Sequence, residues 1–190
     1  MADPWDPPPL PSRGDDDDDA TYAGVGRVMS RWEAVEIELA HLYTVLVGRP
    51  HDAGATREYG SGRIFHERLA TLCAAAEDYF RIDPNQTREG ETRELLRKVR
   101  GYSDRRNEIA HGIVRQISWV RGLREYLSPD AIGHIQFCLV PPHYTFRKFD
   151  QANRPAYAYT SQELLILEQH LFDLAEEVQA FRLTLDPEDE

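Results

Sequence analysis

Cysteine is scarce in this chain, long apolar runs are missing, and basic residues are outnumbered by acidic ones. The 190 residues include two cysteines, Cys73 and Cys138, far apart in sequence. Both sit among apolar neighbours, which predicts small buried hydrophobes rather than a disulfide and fits a reducing cytoplasm. No apolar run reaches the roughly 18 residues that a membrane span needs, so no membrane association is expected. The opening Met1-Ala2-Asp3-Pro4-Trp5-Asp6 has neither a basic nor an apolar stretch, so no secretory signal is expected. There is no P-loop and no Gly-x-Ser-x-Gly elbow. Gly24-Val25-Gly26 lacks the third glycine and the preceding strand of a dinucleotide loop. The histidines show no metal-ligand spacing, so neither a metal nor another cofactor is expected.

The deficit of basic residues is uneven. The net charge is −11, which at first argues against a nucleic-acid partner. Residues 1–20 alone carry −6, and the terminal acids Asp186, Glu188, Asp189 and Glu190 carry −4, so residues 21–185 are close to neutral at −1. Residues 93–124 hold nine Lys/Arg against three Asp/Glu. An anion can be attracted there despite the global sign.

What is present is mostly helical periodicity. Residues 1–20, rich in Pro and Asp, predict a disordered acidic tail. The run Asp15 to Asp19 is a solvated charge cluster, or a site for a cation or a basic surface. A first helix is predicted over about 21–47, with Val28, Trp32, Val35, Leu39, Leu42 and Leu46 on one face and Gly48 and Pro50 ending it. A loop over about 48–60 follows. A second helix is predicted from Ser61, a possible N-cap, to Asp83-Pro84-Asn85. A third runs over about 91–111, with Gly112 as its C′ residue. Three β-branched and aromatic runs, 113–120, 134–140 and 156–159, predict a hairpin or three-stranded antiparallel flap. A last helix follows Thr160, whose spacing to Glu163 is that of a capping box. The expected fold is mainly α: a four-helix up-down bundle over 21–185 with a small antiparallel β insertion at about 113–160, and acidic tails at 1–20 and 186–190.

One segment carries chemistry. In Arg106-Asn107-Glu108-Ile109-Ala110-His111-Gly112, Arg106 offers a planar cation that matches a phosphate. His111 can give or take a proton near neutrality. Asn107 lies four residues before His111, on the same helical face, and can orient either partner. Arg97, Lys98, Arg100 and Arg105 surround them as candidate RNA-binding cations. A five-residue step rotates about 500°, so Arg106 and His111 point roughly 140° apart on an ideal helix. A distorted last turn or a second copy of the chain is needed to bring them together. The plainer alternative is a histidine at a helix C-terminus, favoured by the helix dipole, with Arg106 paired to Asp104, Glu108 or a glutamate elsewhere.

Arg106-Asn107-x-x-x-His111, near the end of a third helix, resembles the Arg-polar-x-x-x-His signature of the HEPN superfamily (higher eukaryotes and prokaryotes nucleotide-binding domains). The resemblance spans residues 21–185 in architecture and six or seven residues in motif. It implies a four-helix bundle acting as a homodimer. It also implies a metal-independent endoribonuclease that cleaves RNA through attack of the 2′-hydroxyl, leaving a 2′,3′-cyclic phosphate. His111 would then be the general acid/base, Arg106 the phosphate clamp and Asn107 a positioning residue. It further suggests a toxin or antiviral defence setting with an antitoxin or regulatory partner. The family's toxins paired with a nucleotidyltransferase often carry a tyrosine two residues after the histidine, and this chain has Ile113 there. The alternatives are a non-catalytic module of the same superfamily that binds a nucleotide or protein, and a purely structural dimerisation module.

Overall fold

The computed structural model describes residues 3–185; the acidic stretch expected at 186–190 lies outside the described residues. Among the described residues the chain is mainly helical, with five α-helices and one two-stranded antiparallel sheet. The order is α1 (Asp18–Leu46), α2 (Ala53–Tyr59), α3 (Phe65–Ile82), α4 (Gln86–Ala110), β1 (Ile113–Gln116), β2 (Phe137–Val140) and α5 (Ser161–Leu185). Short 3₁₀ turns at Ile117–Trp119, Arg121–Tyr126 and Phe146–Lys148 join the later elements. No helix is long and apolar enough to cross a membrane among the described residues.

The helix boundaries follow from their caps. α1 ends in a Schellman arrangement: Gly48 takes φ +66, its N–H reaches the Val45 carbonyl, and the Arg49 N–H reaches the Thr44 carbonyl. A positive φ at this position suits glycine, which has no Cβ to clash. The loop expected over 48–60 holds α2 instead. Asp52 caps it, its Oδ1 accepting the Ala55 N–H at 2.6 Å. With seven residues and two buried positions, Ala55 and Tyr59, α2 is too short for periodicity to reveal. Ser61 does not cap α3. Its hydroxyl donates to the Glu58 carbonyl at 2.7 Å, closing α2, and α3 starts at Phe65 without a side-chain cap. α4 begins before residue 91 because Asn85 accepts the Arg88 N–H at 3.1 Å, as an N-cap does.

The chain divides into two compact units. One comprises Trp32–Ser103 and the segment from Leu171 onward. Its core includes Trp32, Leu39, Leu42, Leu72 and Val99, all fully buried. A buried carboxylate, Glu36, is satisfied there by Trp32 Nε1 (3.1 Å), Tyr59 hydroxyl (3.2 Å) and Arg68 Nη2 (2.6 Å). A charge taken out of water persists in a fold when its lone pairs are filled in this way. Burial first, and then Glu36, raises the Tyr59 pKa.

The other unit comprises the segment up to Arg31 and Asp104–His170. β1 and β2 pair in the register Ile113↔Val140, Val114↔Leu139, Arg115↔Cys138, Gln116↔Phe137. The first expected strand ends early because the chain turns at Ile117 so that Ile117, Val120 and Leu123 enter a cluster with Cys138, Val140 and Ala158. The third expected strand is reduced to a single bridge, Tyr159 to Leu139.

Residues 3–20, expected above to be a disordered acidic tail, make specific contacts. Leu10 packs on the Ile117 cluster. Asp15 bridges Phe137 through both backbone hydrogen bonds, and its carboxylate accepts from the Thr21 hydroxyl (2.6 Å), the Ser161 N–H (2.8 Å) and the Ser161 hydroxyl (2.7 Å). Asp17 accepts the Asp19 N–H at 2.9 Å, the bond of an N-cap, where α1 begins. The aspartate run therefore includes two structural acceptors, which composition alone does not distinguish from free charge.

Candidate functional site

α4 carries the Arg-Asn-x-x-x-His segment to its end, with His111 the first residue past Ala110. The His111 N–H donates to the Asn107 carbonyl at 3.1 Å, an ordinary i→i−4 bond. Gly112 does not take a positive φ; the glycines that do are Gly48 and Gly133. Gly112 is instead a close-approach glycine. A Cβ there would lie 2.7 Å from Leu139 Cγ and 3.0 Å from the Glu108 carbonyl oxygen. The helix end and β2 touch at this point, and the contact fixes where His111 emerges.

His111 is exposed, and it lines an open cleft of about 500 Å³ together with Asn107, Asp104, Arg105, Glu108, Pro142, Thr145, Lys148 and Tyr157. One wall is the last two turns of α4 and the other is the segment 142–148. Arg106 is not among these lining residues. Its Nη1 donates to Asn107 Oδ1 at 3.1 Å. Asn107 therefore joins the two: its side chain holds Arg106, its carbonyl holds the His111 backbone, and it faces the cleft itself.

The floor of the cleft is a polar network that residue types did not disclose. Glu108 is buried at 8% exposure. It pairs with Arg105, Nη1 to Oε2 2.8 Å, and with Lys148, Nζ to Oε1 3.3 Å. The Tyr159 hydroxyl donates to its Oε2 at 2.9 Å, and the Tyr157 hydroxyl donates to its backbone carbonyl at 3.1 Å. The Tyr157 bond satisfies one of the carbonyls a helix end leaves open. Burial, and then the Glu108 charge, pushes both tyrosine pKa values up. Only the side chains of Tyr157 and Tyr159 among the β-region aromatics are fully packed in this way, whereas Trp119, Tyr144 and Phe146 are exposed.

The flanking cations take up other roles. Arg105, expected on an RNA-binding surface, is mostly buried and bound to Glu108. Arg97 makes a two-point ion pair with Glu94, and Lys98 reaches Glu177 at 2.6 Å. Arg100 lines a different cleft beside Cys73. Three of these four cations, Arg97, Lys98 and Arg105, are thus held in ion pairs. Lys148, 49% exposed in its side chain, is the cation opposite His111, and no feature of the sequence marked it. The two cysteines are free thiols. Cys138 is buried and Cys73 half-buried, and burial raises the Cys138 pKa to about 12.

No family model matches the chain, and no curated protein or solved structure is significantly similar to it.

Proposed function

We propose that the chain is a metal-independent endoribonuclease of the HEPN type, built on that superfamily's four-helix arrangement and acting as a homodimer. The observation that carries this reading is the exposed His111 beside Asn107 in an open cleft of about 500 Å³ whose opposite wall bears Lys148. The cleft has room for a nucleotide, an imidazole that can exchange a proton with it and a cation for a phosphate.

His111 takes the proton of the ribose 2′-hydroxyl as that oxygen attacks phosphorus. The P–O5′ bond breaks, and a protonated imidazole returns a proton to the leaving O5′. The products are a 2′,3′-cyclic phosphate and a 5′-hydroxyl. An arginine guanidinium stabilises the charge that accumulates on the phosphoryl oxygens. Arg106 of the same chain does not line the cleft. The reading therefore draws on a second copy for the complementary Arg106. A toxin or defence role with a regulatory partner is the setting that this chemistry fits.

The test is incubation of the purified protein with single-stranded RNA in EDTA. The wild type should cleave, and His111→Ala and Arg106→Ala should each lose about a hundredfold or more. The end groups should be a cyclic phosphate and a 5′-hydroxyl, and light scattering should give a dimer. Cleavage that survives both substitutions removes the site assignment. The second reading is a non-catalytic module of the same superfamily that binds a nucleotide or a protein. The separation of Arg106 from the His111 cleft within one chain favours it. Failure to cleave any of a varied RNA set, together with a monomeric mass, selects it.

A further inference from the structure

The segment 142–149 is built to hold its shape. The Thr145 N–H (2.9 Å) and hydroxyl (2.6 Å) both donate to the Pro142 carbonyl. The Lys148 N–H reaches the Thr145 carbonyl at 2.8 Å, and the Phe149 N–H reaches Phe146 at 3.2 Å. The His143 and Phe149 rings stack with centroids 5.6 Å apart, closing the two ends of the turn. The Ala156 N–H then ties the Lys148 carbonyl to the next stretch at 2.8 Å.

This rigid turn leaves two large rings in water. Tyr144 is 83% and Phe146 74% exposed. Each is adjacent in sequence to Thr145, which lines the His111 cleft with Lys148. Two basic groups follow the rings: the Arg147 guanidinium lies 5.9 Å from the centroid of Phe146, and Lys148 comes next. The neighbouring acid, Asp150, does not oppose them, because Arg154 Nε holds it at 2.6 Å.

We propose that Tyr144, Phe146 and Lys148 form the platform on which an unpaired RNA segment lies as it enters the His111 cleft. The inference rests on the ribonuclease reading and names its substrate class. Exposed rings held by a fixed turn stack on the faces of free bases, and the cations beside them meet the phosphates of the same strand. A duplex hides its base faces within its own stack, so it offers these rings no partner. Lys148 already touches Glu108 at 3.3 Å, which aims its ammonium at the cleft rather than leaving it free in solvent.

The probe is a short fluorescein-labelled strand with 2′-O-methyl riboses, which binds but has no nucleophile to cleave itself. It is titrated against the full chain by anisotropy, alone and annealed to its complement. The double variant Tyr144→Ala/Phe146→Ala should weaken single-strand binding by about tenfold or more and duplex binding by less than about twofold. Lys148→Gln should weaken single-strand binding and reduce the salt slope by about one. Lys148→Arg, which keeps both the charge and a partner for Glu108, should restore it. Thermal melts confirm that each variant is folded. Absence of single-strand binding by the wild type, or equal losses for single strand and duplex, overturns the platform. Undiminished single-strand affinity in the double variant, alongside cleavage of unmodified RNA by the wild type, removes the platform and leaves the ribonuclease. The expected binding losses with no RNA cleaved keep the platform and remove the ribonuclease.

Discussion

Arg105 Nη1 lies 2.8 Å from Glu108 Oε2, and both side chains are mostly withdrawn from solvent at 15% and 8% exposure. Arg105 rather than its neighbour Arg106 is the arginine that this carboxylate holds. The pairing leaves Arg106 to Asn107 and sets the floor of the His111 cleft, so the site depends on a residue with no chemical part in it.

Loss of Glu108 should therefore be felt first in stability. Glu108→Ala strands the Arg105 guanidinium, leaves the Tyr159 hydroxyl without its acceptor, and removes the contact of Lys148. Breaking a buried pair by deleting one partner costs about 3–5 kcal/mol. Urea denaturation should give a loss of about 3 kcal/mol. A loss below about 1 kcal/mol would show that the pair is no more than a surface ion pair.

Gly112→Ala should cost about 1–3 kcal/mol, the range for forcing extra volume into a packed contact. The new Cβ would meet Leu139 Cγ at 2.7 Å. The side chain of Leu139 has somewhere to give only if it is shortened. The double variant Gly112→Ala/Leu139→Val should thus be less destabilised than the two single losses added together. Strict additivity in the cycle would argue that the glycine serves backbone freedom instead.

Cys138 predicts a pH dependence. Its folded pKa is about 12, against an ordinary value of 9.0, because burial disfavours the thiolate. The folded state therefore keeps the proton where the unfolded chain loses it. This contribution is fully present below about pH 9 and is lost as pH rises toward 12. Between pH 9 and pH 10 it should remove about 1 kcal/mol of stability. Cys138→Ala should flatten that slope, whatever its effect at neutral pH. An unchanged slope in denaturation curves at the two pH values would refute the assignment.

The periodicity of α1, α3, α4 and α5 was legible because each buries an apolar stripe several turns long, as in Val28, Trp32, Val35 and Leu39. The Thr160–Glu163 spacing likewise announced a real bond, the Thr160 N–H to Glu163 Oε2 at 2.8 Å. The His111 segment was legible as residue types, and its angular separation from Arg106 as helix geometry. Long-range partners were not legible. Lys148 stands forty residues from the Glu108 that it touches, and Tyr159 stands fifty-one away. A sequence pattern carries no sign of such pairings when the connecting chain is irregular. Asp15 was hidden for a different reason. In a run of five aspartates nothing local separates those that the fold bonds from those that are solvated.

That distinction can be measured. Asp15 accepts the N–H and the hydroxyl of Ser161 at the start of α5 and the hydroxyl of Thr21 in the first turns of α1. Hydrogen bonds to a charged group are each worth about 1.5–3 kcal/mol, and loss of an N-terminal cap costs about 1 kcal/mol. Asp15→Ala should therefore lose about 2 kcal/mol in urea denaturation. Asp16 meets the exposed Arg13 at 3.1 Å and no other charged partner among the described residues, so Asp16→Ala should change stability by less than about 0.5 kcal/mol. The salt dependence should separate them further. The Asp16 effect is screened within a Debye length of about 10 Å at 0.1 M salt, whereas the partly buried Asp15 bonds are not. Equal effects for the two variants, both vanishing at high salt, would return the whole run to the role of a solvated charge cluster. A persistent loss for Asp15 alone would establish that residues before α1 are part of the folded unit that presents His111.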